Sequence, residues 1–347
     1  MDLESLGWDA AFAESFQPHE QDGLAPARVA VEHRSEYVVY SHQGELRAEL
    51  SGRMRNQEEH PAVGDWLAVA STGDGRALIH AVLPRRSVFI RKTAWAETKP
   101  QVLASNVDVA FVVCGLDTDF NLRRIERYLT LGWEGGAQPV VLLTKADLCA
   151  DVEARVFEVE AVAIAVPVHP VSAPTGDGVE TVRSYVPPGR TAALLGSSGV
   201  GKSTLVNALI GVELLATREV REGDGRGRHT TTNRQLVLLP GGGLVLDTPG
   251  MRELQLWDAD EGLGATFEDI EALAAECRFG NCGHAREPGC AVRAALAAGT
   301  LDAARFESWR KLQRELEHLA VKQDARALSE ARKERRRFAR SRRKTVY

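Results

Sequence analysis

Short stretches of alternating apolar and polar residues run from Ala27 to about Lys92. Val29 and Val31, residues 37–40, and Leu46, Ala48 and Leu50 are separated by turn-forming Ser41-His42-Gln43-Gly44 and followed by Ser51-Gly52. Residues 66–70 follow Val63-Gly64-Asp65, and residues 77–83 follow Gly73-Asp74-Gly75. Five short runs punctuated in this way predict a small antiparallel barrel over 27–92. The five-stranded oligonucleotide-binding barrel has this size; the pattern alone does not separate it from a generic small barrel. Residues 1–26 show no sustained period and read as a loose arm.

From Val107 the rhythm becomes strand, helix, strand. Residues 107–114 form an unbroken apolar run, as a strand buried on both faces of a parallel sheet requires. Leu122, Ile125, Leu129 and Trp133 recur at helical spacing. Residues 139–143, 165–171 and 192–195 read as further buried strands. Residues 236–239 and 244–246 flank Gly241-Gly242-Gly243, a predicted hairpin turn. The alternation predicts a doubly wound α/β domain over 93–256. Beyond it, 257–347 is alanine-rich and helical in character, with Leu312, Leu316 and Leu319 as a stripe.

Composition narrows the class. With 347 residues, 44% hydrophobic and 26% charged, the chain has room for two or three globular domains. No apolar run reaches the roughly 18–20 residues of a membrane span, and the acidic start is not expected to be a secretory signal. Five cysteines, an odd number, fit a reducing compartment better than a disulfide framework. The net charge of −5 conceals an asymmetry. Residues 331–344 hold nine Lys or Arg against one Glu, so the remainder carries a surplus of thirteen acids. A basic tail on an acidic body suits a polyanionic partner; the alternative is a solvated end with no target.

Gly196-Ser197-Ser198-Gly199-Val200-Gly201-Lys202-Ser203-Thr204 fits G-x-x-x-x-G-K-[ST] between a predicted strand and a predicted helix. The glycines let backbone N–H groups converge on phosphate oxygens at a helix N-terminus. Lys202 is placed for the β- and γ-phosphates, and the Ser203 hydroxyl for Mg²⁺. Asp247-Thr248-Pro249-Gly250 ends a buried strand about 45 residues later. There Asp247 suits the Mg²⁺ hydration shell and the Gly250 N–H suits the γ-phosphate.

Thr144-Lys145-Ala146-Asp147 leaves another buried strand. A carboxylate at Asp147 can accept two parallel hydrogen bonds from the ring N–H and amine of guanine, which adenine does not offer. The Lys145 stem suits the face of the base, and Ser172-Ala173 suits a backbone donor to the guanine carbonyl. Together these segments specify GTP over ATP.

Cys277, Cys282, His284 and Cys290 form C-x4-C-x-H-x5-C. Three thiolates and an imidazole make a closed tetrahedral set, so one structural Zn²⁺ per chain is expected. Cys114 reads as core, and Cys149 carries no assigned chemistry.

The order of these segments is informative. The base-reading segments precede the phosphate loop and Asp-Thr-Pro-Gly comes last, a circular permutation of the usual GTPase order. With a barrel in front and a Cys/His cluster behind, the chain from about Ala27 to Glu315 resembles the RsgA (YjeQ) family of bacterial ribosome-biogenesis GTPases. The resemblance implies an N-terminal OB-fold, a central permuted phosphate-loop GTPase domain and a C-terminal zinc-binding helical domain. It also implies a cytoplasmic, monomeric GTPase with no membrane association, cycling between GTP and GDP with Mg²⁺. Such an enzyme binds the immature small ribosomal subunit and its rRNA, and couples hydrolysis to late maturation and release. The alternative is a GTP-dependent rRNA-binding scaffold whose hydrolysis is incidental.

Thr144 departs from the broad GTPase pattern, which has asparagine there, and a looser tie between base loop and phosphate loop is expected. In the Gly-rich segment 223–232, Thr230 or Thr231 is expected to ligate Mg²⁺. Met251 stands where many GTPases carry a water-orienting glutamine, and a thioether cannot do that work. The resemblance assigns this catalytic role to His229.

Overall fold

Five strands close a barrel at the start of the computed structural model, which describes residues 1–33, 36–56, 60–92, 100–211, 235–247, 260–318 and 320–321. They are β1 (Ala25–Glu32), β2 (Tyr37–Ser41), β3 (Gly44–Leu50), β4 (Trp66–Gly73) and β5 (Arg76–Val82). β1 pairs with both β2 and β4, β2 with β3, and β4 with β5, all antiparallel, while β3 and β5 run parallel. This closed circuit is the oligonucleotide-binding barrel, and its strands coincide with the five runs expected from the pattern. Along β3 and β5, buried Leu46, Ala48, Ala77 and Ile79 alternate with exposed Arg47, Glu49, Arg76 and Leu78, the period of two that a one-sided core demands.

The first 26 residues are folded, not loose. Asp9 caps α1 (Ala10–Glu20), its Oδ1 accepting from the N–H groups of Ala11 and Phe12 at 3.0 and 3.2 Å. Phe12 and Phe16 share one helical face, Trp8 just before the helix packs against both, and Trp8 meets Trp66 of β4 edge-on at 4.7 Å between ring centroids. A stripe of three aromatics in so short a segment falls below a recognisable period, yet it supplies enough burial to dock the helix.

Arg28 joins three segments. Its side chain is buried in β1 and donates to the carbonyls of Leu6, Gly64 (3.2 Å) and Asn106 (3.0 Å). Burial lowers its pKa to about 10, so the guanidinium stays charged at neutral pH. Gly7, at φ +89°, lies so close to Gly189 that a Cβ would sit 2.7 Å from its carbonyl oxygen.

A separate hairpin of β6 (Val88–Lys92) and β7 (Pro100–Ser105) follows the barrel. Then comes the doubly wound domain. Its strands are β8 (Val109–Gly115), β9 (Gln138–Thr144), β10 (Val168–Val171), β11 (Thr191–Leu195), β12 (Gln235–Leu238) and β13 (Leu244–Asp247). Their order is β10-β9-β8-β11-β13-β12; only β12 is antiparallel, forming the expected hairpin with β13. The edge strand β12 also touches β1 of the barrel, pairing Gln235 with Val31, so one sheet runs through both halves. Helices α2 (Leu122–Glu134), α3 (Val152–Glu160), α4 (Val179–Ser184) and α5 (Lys202–Ile210) connect the strands. Val109, Phe111, Val113, Val140, Leu142, Leu194 and Val245 from the sheet pack with Val182, Leu205 and Leu209 in one core.

The chain divides into two compact units, Met1–Gln255 and Leu256–Tyr347. The second contains α6 (Asp260–Thr266), α7 (Glu268–Ala275), α8 (Ala291–Ala298) and a helix over 303–318. Phe267, Ile270, Val292, Phe306, Trp309, Leu312 and Leu316 are buried in it. Arg305 clamps Asp269 bidentately at 2.9 and 2.7 Å and also donates to the Thr266 carbonyl. Among the described residues no helix is long and apolar enough to cross a membrane.

Candidate nucleotide site and metal centre

Four parallel strands end at one edge of the sheet. Register pairs Gly115 with Thr144, Thr144 with Val171, and Val112 with Leu195. From β8 the chain winds outward through β9 and β10, then returns so that β11 lies on the other side of β8. Such a reversal leaves a crevice beyond the strand ends, where open α/β sheets bind ligands. The segments 144–147, 172–173 and 196–204 all leave strands at this edge.

The phosphate loop links β11 to α5. Gly196 passes under Val113 so closely that a Cβ would lie 2.4 Å from its carbonyl oxygen. Gly199 and Gly201 take φ of +79° and +96°, which only glycine adopts without strain. Lys202 folds back across the loop, Nζ donating to the carbonyls of Gly196 and Ser197 at 2.8 and 2.5 Å. Its ammonium therefore sits over the loop, where phosphate oxygens can replace those carbonyls. Ser203 and Thr204 lie in the first turn of α5.

Thr144 is buried, with its hydroxyl 2.5 Å from the Val200 carbonyl and 3.3 Å from that of Cys114. The expected loosening at this position is not found, because the shorter hydroxyl spans directly from the base-loop strand to the phosphate loop. Lys145 adopts φ +59°, and its ammonium pairs with Asp117 at 2.5 Å. Burial alone would raise the Asp117 carboxyl and is the largest single influence, but the Lys145 hydrogen bond and charge, together with the backbone N–H groups of Asp119 and of Asp117 itself, outweigh it and the pKa falls below the usual range. Ala146 and Asp147 open a 3-10 turn, with Asp147 exposed. The Ser172 N–H is taken by the Asp177 carbonyl at 2.9 Å, which leaves Ala173 as the backbone donor of that pair.

Asp247 ends β13 beside β11. His229, Thr230, Thr231 and Gly250 lie outside the described residues, as do Met251 and the basic stretch 331–344.

In the second unit the Cys/His set converges. The ligand atoms of Cys277, Cys282, His284 and Cys290 lie within 4.8 Å of one another. Cys277 and Cys290 Sγ are 3.8 Å apart, and His284 Nδ1 is 3.6 and 3.4 Å from them. A tetrahedron with Zn–S of ~2.3 Å and Zn–N of ~2.0–2.1 Å has edges of about 3.8 and 3.6 Å. The donor set and spacing therefore fit a closed structural zinc site.

Surrounding groups hold the ligands. Cys290 caps α8, its Sγ accepting from the Arg293 N–H at 3.4 Å. Trp309 lies 5.6 Å from the His284 ring and donates to Glu271 at 3.0 Å. Backbone N–H groups of Glu287 itself, Arg286, Ala285 and Gly283 bind the Glu287 carboxylate and lower its pKa to about 2. Neither Trp309 nor Glu287 was identifiable from ligand spacing, because both act on the fold of the knuckle and not on the metal.

A permuted GTPase domain joined to an oligonucleotide-binding barrel is the class that this fold and site define. The family model described as RsgA GTPase matches residues 82–257. An ABC transporter model also matches residues 179–342, a span that includes the phosphate loop but not the 144–147 or 172–173 segments. The small ribosomal subunit biogenesis GTPase RsgA of Opitutus terrae is 51% identical over 338 residues, covering 93% of this chain and 92% of that protein. Its namesake from Streptomyces coelicolor is 46% identical over 336 residues, covering 96% and 91%. The crystal structure of YjeQ from Thermotoga maritima superposes with a TM-score of 0.65 at 27% identity, covering 84% of this chain and 98% of that one. YloQ, described as a circularly permuted GTPase, shares the fold with a TM-score of 0.63 at 24% identity, covering 85% and 96%. The chain belongs to the RsgA GTPase family, and it is a GTP hydrolase.

Proposed function

We propose that this chain hydrolyses GTP in the crevice beyond β8, β9, β10 and β11 and works in small ribosomal subunit biogenesis. The observation that carries the reading is the meeting of 144–147, 172–173 and 196–204 at one switch point of the sheet. Asp147 accepts from the guanine ring N–H and amine, the Lys145 stem covers the base, and the Ala173 N–H donates to the guanine carbonyl. The N–H groups of 197–201 hold the phosphates with Lys202. Ser203 would hold Mg²⁺, with Asp247 on its hydration shell; the ion would neutralise charge on the phosphate oxygens. Thr230 or Thr231, Gly250 and the water-orienting His229 complete the site on the strength of the family resemblance.

The zinc knuckle of Cys277, Cys282, His284 and Cys290 holds the C-terminal helices together. The barrel and the basic stretch 331–344 meet rRNA of the immature subunit, and hydrolysis drives release late in maturation. The protein acts as a cytoplasmic monomer. Support comes from relatives named for small-subunit biogenesis that match nearly the full chain.

Measuring hydrolysis by the full chain with and without small ribosomal subunits tests the reading, alongside competition of GTP and ATP for labelled GDP. Strong stimulation and displacement by GTP alone are expected. A rate unchanged by subunits, despite tight GTP-dependent binding, identifies a scaffold instead. Equal competition by ATP overturns the assignment of the base loop.

A further inference from the structure

Ser197, second in the phosphate loop, is gripped from outside the loop by α2. Arg124 Nη1 donates to Ser197 Oγ at 2.5 Å and pairs with the Asp119 carboxylate. One turn further along α2, the Tyr128 phenol lies near the same hydroxyl, whose influence lowers a pKa that burial raises. Residues four apart share a helix face, so α2 presents a cation and a phenol together to this edge of the loop. Asn121 caps the helix by accepting the Arg124 N–H at 3.0 Å, which fixes where Arg124 starts.

The segment 117–119 thus serves both ends of the crevice. Asp117 holds Lys145 of the base loop, and Asp119 holds Arg124, which holds the phosphate loop. Thr144 pins the same loop at Val200. A loop whose N–H groups must converge on phosphate depends on the setting of its peptide planes, and here it is fastened at entry and at exit.

We propose that Arg124, steadied by Asp119, is a positioning residue for the phosphate loop, acting through the Ser197 hydroxyl. It sets affinity for the phosphates of the nucleotide and not for its base. The inference rests on the assignment of residues 196–204 to the phosphates of GTP. A charge-assisted bond suits the task because it is stronger than a neutral one. Nη1 of the planar guanidinium holds carboxylate and hydroxyl at once in fixed directions, which the freely rotating ammonium of a lysine does not impose.

The test uses the full chain and its variants Arg124→Ala, Arg124→Lys, Ser197→Ala and the double variant Arg124→Ala/Ser197→Ala. Affinities for GDP and for guanosine, which lacks phosphate, are read by competition against fluorescent GDP, with Lys202→Ala as control. Arg124→Ala and Ser197→Ala should each weaken GDP by about five- to tenfold, a charged hydrogen bond discounted for partial exposure. The double variant should be no weaker than the weaker single, since one contact is lost either way. Arg124→Lys should recover part of the loss, and guanosine should bind all variants equally.

Unchanged GDP affinity in Arg124→Ala, multiplying losses in the double variant, or an equal loss for guanosine would each overturn the proposal. If Arg124→Ala does not fold, unchanged GDP affinity in both Ser197→Ala and Arg124→Lys does so. Full GDP affinity in Lys202→Ala instead removes the phosphate-loop assignment, and the proposal falls with it.

Discussion

The Thr144 hydroxyl lies 2.5 Å from the carbonyl oxygen of Val200, so a single side chain ties the base-loop strand to the phosphate loop. Thr144→Val keeps the shape and removes the donor. Stranding a buried carbonyl costs ~1–3 kcal/mol, so both the melting temperature and the GDP affinity should fall. Thr144→Ser should retain both. Calorimetry and GDP titration of the two variants check this, and parental values in Thr144→Val would show that the tie is idle.

The placement of the candidate segments was largely legible in the sequence. The strands that deliver residues 144–147 and 196–204 are unbroken apolar runs ending in polar segments, and the ligand spacing at 277–290 is dense enough to stand out. Arg28 was invisible for a physical reason. It alternates with buried Ala27 and Val29, so a barrel strand alone would point it to water. Only the carbonyls of Leu6, Gly64 and Asn106, distant in sequence, turn that position into an interior. Arg124 escaped similarly: its target Ser197 lies on another element, and helical spacing carries no record of such a contact.

Asp147→Asn should shift preference from GTP toward xanthosine triphosphate, because an amide can donate where the carboxylate only accepts. Losing the paired hydrogen bonds should cost at least ~1.5 kcal/mol, roughly tenfold in GTP affinity. Competition binding with both nucleotides decides the matter; an unchanged ratio would remove Asp147 from base reading.

Arg28→Met should destabilise the Met1–Gln255 unit by on the order of 3 kcal/mol, since the buried carbonyls of Leu6 and Asn106 lose the guanidinium and that of Gly64 keeps only the Asn106 amide as donor. Arg28→Lys should also lose stability, because an ammonium cannot span the three acceptors. Urea unfolding curves for the two variants are the measurement, and a midpoint equal to the parent's in both would sink the argument.

Elemental analysis should find one zinc per chain, and Cys282→Ser should lower that content. Because a structural metal contributes folding free energy directly, the Cys282→Ser chain should become protease-sensitive within 260–318. GDP binding should persist, since every nucleotide-site residue belongs to the other unit. A parent protein free of zinc would refute the metal assignment.

The permuted strand order also dictates a sequence of events during synthesis. β8, β9 and β10 are consecutive and pair side by side, so the sheet edge that carries residues 144–147 can assemble once residue 171 has emerged. β11 joins later, against β8, and its second pairing, Thr191 with Leu244 of β13, waits for another fifty or so residues. Pairings between near neighbours form ahead of those that close long loops. The nascent chain therefore possesses the segment assigned to the base before it possesses the segment assigned to the phosphates.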